Sequence, residues 1–292
     1  MEINQKLIFI TGKGGSGKTL LSAMLGASQA AKGKKVLLID SEASGLLAQA
    51  FEHNDVDYEP VEVINNLYLA QTKTDQALTQ YLHLYAKIPT WAKITPLARL
   101  IDLVSHAAPG VKEILVVGKI CYEVKQILEG ESDFDLVIVD APSSGHILSL
   151  IDAPNALSEI VSKGMIETQA QWMKDILEDK KVTGVLISTL SDEVVMSETL
   201  ELAEKIQQTT QVNLQGIVLN KYIQAEVNSE TNLPEAVGEI KDFYNATINQ
   251  QESALKQIKN HNLYVFPLIF DRIPSVRTII KNSMKFQKHE VK

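Results

Sequence analysis

The chain has 292 residues, an apolar fraction of 45% and a formal net charge of −8, with a pI near 5.3. This length suits one large α/β domain or two small ones, and the apolar fraction indicates a sizeable core. The negative charge disfavours broad electrostatic binding, so no nucleic acid partner is expected. The first residues lack a signal-peptide pattern, and no apolar run approaches the roughly 20 residues of a membrane span. We therefore expect a cytoplasmic protein without a transmembrane segment.

Short continuous apolar runs predict the strands. In chain order they are Lys6–Thr11, Val36–Asp40, Leu67–Ala70, Leu136–Asp140, Val185–Ser188, Ile217–Asn220 and Tyr264–Leu268. Their continuity favours parallel strands that are covered on both faces. Helical patterns lie between them, the first from Lys18 to about Ala31. Alternation of strands and helices predicts a doubly wound, mostly parallel α/β sheet.

Two further helical stretches do not fit a minimal sheet of this kind. They cover about residues 72–130 and 154–181. We interpret both as a helical insertion layer beside the sheet, within a single domain that spans residues 1–292. The one cysteine, Cys121, cannot form an internal disulfide or a two-cysteine metal clip, and we expect it to be a small buried apolar side chain.

A glycine-rich segment between the first predicted strand and helix fits the phosphate-loop pattern G-x-x-x-x-G-K-[ST]. It reads Gly12-Lys13-Gly14-Gly15-Ser16-Gly17-Lys18-Thr19. Glycines let backbone N–H groups point at phosphate oxygens, and the helix adds the positive end of its dipole. In such a loop the lysine, here Lys18, reaches the β- and γ-phosphates, while the hydroxyl of Thr19 binds Mg²⁺. The segment therefore predicts a bound nucleotide with Mg²⁺.

A second lysine, Lys13, follows the first glycine of this segment. That arrangement resembles the deviant Walker A motif shared by MinD, ParA, the nitrogenase iron protein and ArsA. The resemblance implies an ATPase that binds ATP, and a Lys13 that reaches across a dimer interface to the partner's nucleotide. It therefore implies a nucleotide-sandwich dimer. The alternative interpretation is a solvated loop lysine.

Asp140 ends a predicted strand, and the carboxyl end of a parallel strand lies at the ligand crevice. It resembles the Walker B aspartate, which holds Mg²⁺ through water. The segment that follows reads Asp140-Ala141-Pro142-Ser143-Ser144-Gly145-His146. It is similar to the switch II motif D-T-A-P-T-G-H of the ArsA family, which implies that Gly145 approaches the γ-phosphate. His146 is the last residue of this motif, and its alternative interpretation is a histidine at the start of a helix without a switch role.

The segment Asp40–Gly45 follows the second predicted strand and resembles switch I of the same group. The resemblance places Glu42 at the residue that positions the attacking water, where aspartate is usual, and Ala43 at a usual proline. With its longer side chain, Glu42 predicts slow hydrolysis, or a share of the work for Asp40 near the metal. The alternative is an acidic loop without a catalytic role.

Asn220 ends another predicted strand, which resembles the base-recognition strand of this group. Its side chain offers a donor and an acceptor to the adenine edge, although an asparagine at a strand end is also a common turn former. The segment Pro267–Pro274 is expected to close over the base. Pro109–Glu113 and Ser197–Thr199 resemble the P-G-x-x-E and E-T segments of the ArsA family.

Together these motifs resemble a short, single-half ArsA-like ATPase, also known as an anion-transporting ATPase. The match runs from Gly12 to about Asn220. With one cysteine, a three-thiolate metalloid site cannot form in one subunit. The sequence therefore predicts the nucleotide machinery but leaves the client open, whether an anion, a metalloid or a protein. It also leaves open a homodimer or a heterodimer with a paralogue.

Three further hypotheses concern partners. An apolar groove for a protein client or a membrane partner would be lined by Met165, Ile166, Trp172, Met173, Ile176 and Leu177, with Trp91 and Leu97–Leu103 nearby. The alternative is that these side chains pack on one another. A MinD- or ParA-like organiser, bound to the membrane surface or to the DNA of the nucleoid, would use a basic stripe, Arg277, Lys281, Lys285 and Lys288, beside Val276, Ile279, Ile280 and Met284. Its alternative is a last helix docked on the sheet. The third hypothesis is a weakly hydrolysing regulatory subunit.

Overall fold

A computed structural model of the chain describes residues 1–85, 110–160, 165–223, 238–269 and 275–289. Its strands are β1 (Leu7–Gly12), β2 (Val36–Asp40), β3 (Val61–Ile64), β4 (Leu67–Gln71), β5 (Leu136–Asp140), β6 (Thr183–Thr189), β7 (Asn213–Tyr222), β8 (Leu263–Pro267) and β9 (Gln287–Lys288). They form one sheet in the order β3-β4-β2-β5-β1-β6-β7-β8-β9.

The seven inner strands of this sheet pair in parallel, and the two edge strands are antiparallel to their neighbours. The expected mostly parallel α/β fold is thereby confirmed. All seven predicted strands are present, with bounds that differ by a few residues. The sequence did not predict β3 or β9. In β3 only Val63 is buried, and both side chains of β9 are exposed, so neither strand has a continuous apolar run.

The helices are α1 (Lys18–Ala31), α2 (Leu46–Ala50), α3 (Thr74–Tyr85), α4 (Val111–Glu129), α5 (Ser144–Ile160), α6 (Met165–Glu178), α7 (Glu193–Thr209), α8 (Gly238–Gln257) and α9 (Val276–Asn282), followed by a 3-10 turn at Ser283–Lys285. Side chains alternate along each strand, so β1 sends Leu7 and Phe9 to one face and Ile8 and Ile10 to the other. The first face packs under α4 to α8, and the second under α1, α2 and α9.

The helical layer differs in detail from its prediction. Residues 154–160 do not begin a separate excursion, because they continue α5 through Pro154. Side chains of α4, α5 and α6 cover the sheet directly, in the same cluster as β1 and β5. Cys121 on α4 is fully buried there, as expected, and burial raises the pKa of its thiol.

The apolar groove proposed for a client is partly wrong. Met173, Ile176 and Leu177 lie on the buried face of α6, where they pack on the sheet and on α4. Trp172 is half-buried. The remaining members of that set, residues 165, 166, 91 and 97–103, lie outside the described side chains.

The end of the chain corrects the predicted basic helix. Helix α9 ends at Asn282, Lys285 lies in the 3-10 turn and Lys288 lies in β9. Ile279 is fully buried against α1, so the segment docks on the body of the protein. None of the helices in the described part of the chain combines the length and apolar character needed to span a bilayer.

Candidate functional site

The predicted phosphate loop connects β1 to α1 at the carboxyl edge of the parallel strands. Two glycines are required by their surroundings. A Cβ on Gly12, where φ is +144°, would lie 2.2 Å from the carbonyl oxygen of Ser188. A Cβ on Gly17, where φ is +87°, would lie 2.2 Å from Nδ2 of Asn220. The loop therefore packs tightly against the ends of β6 and β7 and leads into the N-terminus of α1.

The outer side of this loop is held by side chains from two strands. Ser188 Oγ of β6 and Asn220 Nδ2 of β7 donate to the carbonyl oxygen of Ser16, at 2.9 Å and 2.8 Å. The hydroxyl of Ser16 is buried and has no hydrogen-bond partner among the described residues. An unpartnered buried hydroxyl beside a helix N-terminus fits a phosphate oxygen.

A carboxylate and two hydroxyls form the candidate cation site at the start of α1. Thr19 Oγ1 donates to Asp140 Oδ2 at 2.7 Å, and Ser22 Oγ donates to Asp140 Oδ1 at 3.1 Å. Burial and the nearby charge of Asp40 raise the pKa of Asp140 from its ordinary 3.8 to about 6, against the effect of the two hydroxyls and Lys18. An added cation would relieve this cost, and Mg²⁺ prefers these oxygen ligands, so the donor set fits it.

The loop after β2 is organised by the carboxylate of Asp40 and by the hydroxyl of Ser41, which donates to the end of β5 at 2.7 Å. Asp40 is buried and accepts hydrogen bonds from Gly45 N at 3.0 Å, from Ser44 Oγ at 3.1 Å and from Glu42 N at 3.3 Å. Its oxygens hold the loop in this structure, which differs from the predicted share in hydrolysis. Any catalytic role of Asp40 stays a prediction.

Glu42 is the residue predicted to position the attacking water. It is exposed and makes no side-chain hydrogen bond or ion pair within the described residues. Its neighbour Ala43 has φ of +50°. Proline is locked near −65° and cannot adopt this conformation. The absence of the usual proline is thus compatible with the loop shape seen here.

Lys13 forms an ion pair with Glu198 of α7, with Nζ and Oε1 2.6 Å apart. The two side chains are 33% and 41% exposed, so solvent screens the pair. The residue predicted to cross a dimer interface therefore contacts its own chain here. Helix α7 follows β6, whose carboxyl end adjoins the phosphate loop, and this places Glu198 within reach.

The candidate switch II segment begins α5. Gly145 and His146 lie in the first turn of α5 and are exposed. A Cβ on Gly145 would meet no atom within 4 Å. The fold of this state does not require glycine at this position, which leaves space for a ligand's approach or a rearrangement. The roles of both residues stay predictions.

Asn220 is engaged with the protein at both ends of its amide. Besides its bond to Ser16, its Oδ1 accepts from Lys221 N at 2.8 Å. Contact with an adenine edge would use its second N–H or its second oxygen lone pair. Base recognition by Asn220 stays a prediction, and of the expected closing segment only residues 267–269 are described.

Sequence reasoning did not find Ser22 or Ser188. The signal for Ser22 was its position three residues after Thr19, on the same side of α1. Ser188 had been assigned only as the last residue of a buried strand. No local pattern marks such a residue, because its contact with Ser16 spans 172 positions of the chain.

The family model for anion-transporting ATPases matches residues 5–173. The chain belongs to this family. It is 26% identical to ATPase BagA of Mycobacterium tuberculosis over 80% of this chain and 70% of that protein. It is 21% identical to a candidate arsenical pump-driving ATPase of Aquifex aeolicus over 98% of this chain and 94% of that protein. It is 24% identical to ATPase GET3 of Candida glabrata over 78% of this chain and 75% of that protein.

The family match identifies the activity of this chain. The chain is an ATPase of the anion-transporting family, so its glycine-rich loop belongs to a protein that binds and hydrolyses nucleotide. An enzyme of this family typically works with a metal ion, and the pair of Thr19 and Asp140 is the described donor set that fits one.

Proposed function

We propose that this anion-transporting ATPase hydrolyses ATP with Mg²⁺ and works as a nucleotide-gated dimer that moves or gates a client. The observation that supports a gated dimer most directly is the contact of Lys13 with Glu198 at 2.6 Å. Lys13 is thereby held away from the concave side of the phosphate loop, which we call the nucleotide cradle (Gly12–Thr19), and Glu42 is exposed. Full assembly of the proposed site therefore requires Lys13 to leave Glu198 and Glu42 to move toward the nucleotide.

In the proposed mechanism Thr19 and Asp140 would hold the metal, which would neutralise phosphate charge when bound. Lys18 supplies a second positive charge to the β- and γ-phosphates, and the N-terminus of α1 presents its N–H groups to them. Glu42 accepts a hydrogen bond from the attacking water and orients it. The ends of the switch segments, including Gly145, respond to the presence of the γ-phosphate.

The dimer is proposed to form when Lys13 exchanges Glu198 for the nucleotide of the partner subunit. A surface ion pair of this exposure is worth about 1 kcal/mol or less, so a triphosphate competes with it easily. A second copy of the chain is the simplest partner. A paralogue that supplies the second half is the alternative assembly.

The test is steady-state ATP turnover as a function of protein concentration, with Mg²⁺ and with a chelator. A gated homodimer gives a specific rate that rises with protein concentration and then saturates. Lys13→Ala is expected to keep nucleotide binding but lose this rise and the turnover. Turnover that is independent of concentration in the wild type, and unchanged in Lys13→Ala, would contradict the trans-acting role of Lys13.

Light scattering with ADP and with a non-hydrolysable ATP analogue separates the two assemblies. A mass that doubles only with the analogue supports the homodimer. A monomer under both conditions with a low rate favours a paralogous partner or a weakly hydrolysing regulatory subunit.

For the client, we favour a protein over a metalloid. The name of the Aquifex aeolicus relative refers to an arsenical pump. In this chain the thiol of Cys121 is buried within the core, and burial raises its pKa, which disfavours the thiolate that would bind a metalloid. We expect the ATP turnover of this protein to be indifferent to arsenite and antimonite. A metalloid-stimulated rate that Cys121→Ser abolishes would reverse this preference.

A protein client is proposed to contact the outer surface of the helical layer. Leu128 of α4 is 49% exposed, and the half-buried Trp172 of α6 has Lys125 Nζ at 5.4 Å from its ring centre. Trp172 belongs to the apolar groove predicted from the sequence, and Leu128, which was not in that set, is added here because it lies one turn of α4 beyond Lys125. Leu128→Ser and Trp172→Ala are expected to weaken client stimulation of turnover without changing the basal rate.

Peripheral membrane contact in the cytoplasm is a second candidate property. Near the end of the chain, Ile280 and Met284 are 51% and 60% exposed, and both are followed by exposed lysines, Lys281 and Lys285. Apolar side chains beside cations suit an anionic lipid surface. Sedimentation with anionic vesicles tests this, with Ile280→Ser/Met284→Ser as the variant, because deletion of α9 would remove the buried Ile279. Equal sedimentation of variant and wild type would remove this candidate and the organiser role.

A further inference from the structure

The peptide between Ser16 and Gly17 is held from one side only. Its carbonyl oxygen accepts two hydrogen bonds, from Ser188 Oγ at 2.9 Å and from Asn220 Nδ2 at 2.8 Å. Both lone pairs of the oxygen are thereby used, and both donors are buried, at 0% and 6% exposure. The donors come from two adjacent strands, β6 and β7, so the hydrogen bonds of the sheet fix the positions of both side chains.

The direction of this carbonyl fixes the direction of the next amide. A trans peptide is planar, and its C=O and N–H point in opposite directions. Because Ser16 O faces β6 and β7, the N–H of Gly17 faces the opposite side, toward the concave side of the loop. Gly17 N–H has no acceptor among the described residues. A donor that is aimed and unpartnered is preorganised for a phosphate oxygen.

We propose that Ser188 is a positioning residue for nucleotide binding, and that it acts with Asn220 through the Ser16 carbonyl to aim the Gly17 N–H at a phosphate. This inference rests on the assignment of Gly12–Thr19 as the nucleotide cradle. Ser188 does not touch the nucleotide in this arrangement. Loss of its hydroxyl leaves Asn220 alone on the carbonyl and lets the peptide rotate.

The structure provides a matched control on the same strand. Thr183, at the other end of β6, is also fully buried, and its hydroxyl donates to the carbonyl of Ile176 at 2.7 Å. Thr183→Val removes one buried hydroxyl bond far from the cradle, as Ser188→Ala removes one beside it. A purely structural role for Ser188 predicts the same behaviour for both variants.

The experiment compares ADP and ATP affinity by calorimetry, KM and kcat, and the thermal midpoint for wild type, Ser188→Ala and Thr183→Val. Ser188→Ala is expected to weaken ADP and ATP binding about 3- to 10-fold and to raise KM by a similar factor, with kcat within about twofold, as one lost hydrogen bond implies. Thr183→Val is expected to lower the thermal midpoint to a similar extent and leave both affinities unchanged.

A spectroscopic reading isolates the proposed atom. In protein labelled with ¹⁵N-glycine, ADP is expected to shift the Gly17 amide proton downfield in the wild type, and less in Ser188→Ala. Equal affinities and an equal Gly17 shift in Ser188→Ala and wild type overturn the inference, as does an equal loss of affinity in Thr183→Val. If the wild type itself binds neither nucleotide, the assignment of the cradle fails instead.

Discussion

The two loops that face the candidate nucleotide site are built differently. The phosphate loop is held by side chains of β6 and β7 through Ser16, and Asp140 of β5 holds the start of α1 through Thr19. The loop after β2 is held by the carboxylate of Asp40 and by the buried Ser41, which is hydrogen-bonded to the end of β5 and to Thr72. Its proposed water-positioning side chain, Glu42, is exposed. The first loop is therefore formed before its ligand binds. The second leaves Glu42 in solvent, so the proposed role of Glu42 requires this side chain to move toward the nucleotide.

This difference separates binding from turnover. A preformed cradle binds nucleotide without paying for its own ordering, which favours affinity. If Glu42 must move before it reaches the attacking water, as we propose, hydrolysis waits for that movement, which is the property of a switch. Substitutions of the groups that shape the first loop or face the phosphates should therefore change affinity, and substitutions of Lys13 or Glu42 should change the rate.

The largest expected effect is on the cradle. Lys18→Ala removes the cation that we propose faces the β- and γ-phosphates, and we expect ATP affinity to fall at least roughly 100-fold while the fold is retained. Calorimetry measures the affinity, and circular dichroism checks the fold. Lys205→Ala, at an exposed lysine paired with Glu201 on α7, is the control and should bind ATP normally. Intact affinity in Lys18→Ala would contradict the cradle assignment.

On the loop after β2, Glu42→Gln is expected to keep ATP affinity and reduce turnover about 100-fold or more, because the amide is a poor base for water. The variant should accumulate as an ATP-bound dimer, visible by light scattering. Single-turnover hydrolysis measures the rate. Normal turnover would move the water-positioning role to another residue, with Asp40 to be tested next.

The pH dependence of the free energy of unfolding tests Asp140, which lies beside the phosphate loop. The raised pKa of Asp140 means that the folded protein holds this proton more tightly than the unfolded chain does. The stabilisation is fully present below about pH 4 and is lost as pH rises through about 6, by at most roughly 3 kcal/mol. Among its neighbours, Asp40 strengthens the effect and Lys18 weakens it.

Urea unfolding of the metal-free protein at pH 5 and pH 7 measures this dependence. Asp140→Asn carries no titrating group and is expected to show a smaller loss of stability between the two pH values than the wild type. Added Mg²⁺ with ADP should restore wild-type stability at pH 7 and not that of Asp140→Asn. The same pH dependence in both proteins would mean that Asp140 is not the group responsible.

The sequence was informative where local pattern decides the structure. The run Leu136–Asp140 predicted its strand to the residue, and the glycine-rich segment predicted the connection from β1 to α1. It was uninformative where contacts join distant segments. The bond from Ser188 to Ser16 depends on the register of β1 against β6, and the pairing of Lys13 with Glu198 depends on where α7 begins. Neither follows from spacing along the chain.

The smallest expected effect concerns the ion pair beside the cradle. Glu198→Gln removes the charge that holds Lys13 in its own chain, and the pair is worth about 1 kcal/mol or less because both side chains are partly exposed. We expect the protein concentration for half-maximal turnover to fall by up to about fivefold, since less free energy is needed to release the lysine. High salt should shrink the difference between variant and wild type. Glu201→Gln, which breaks the pair with Lys205 about one turn further along the same helix, should leave that concentration unchanged. A rise in it for Glu198→Gln would mean that Glu198 supports the assembled state rather than restraining Lys13 outside it.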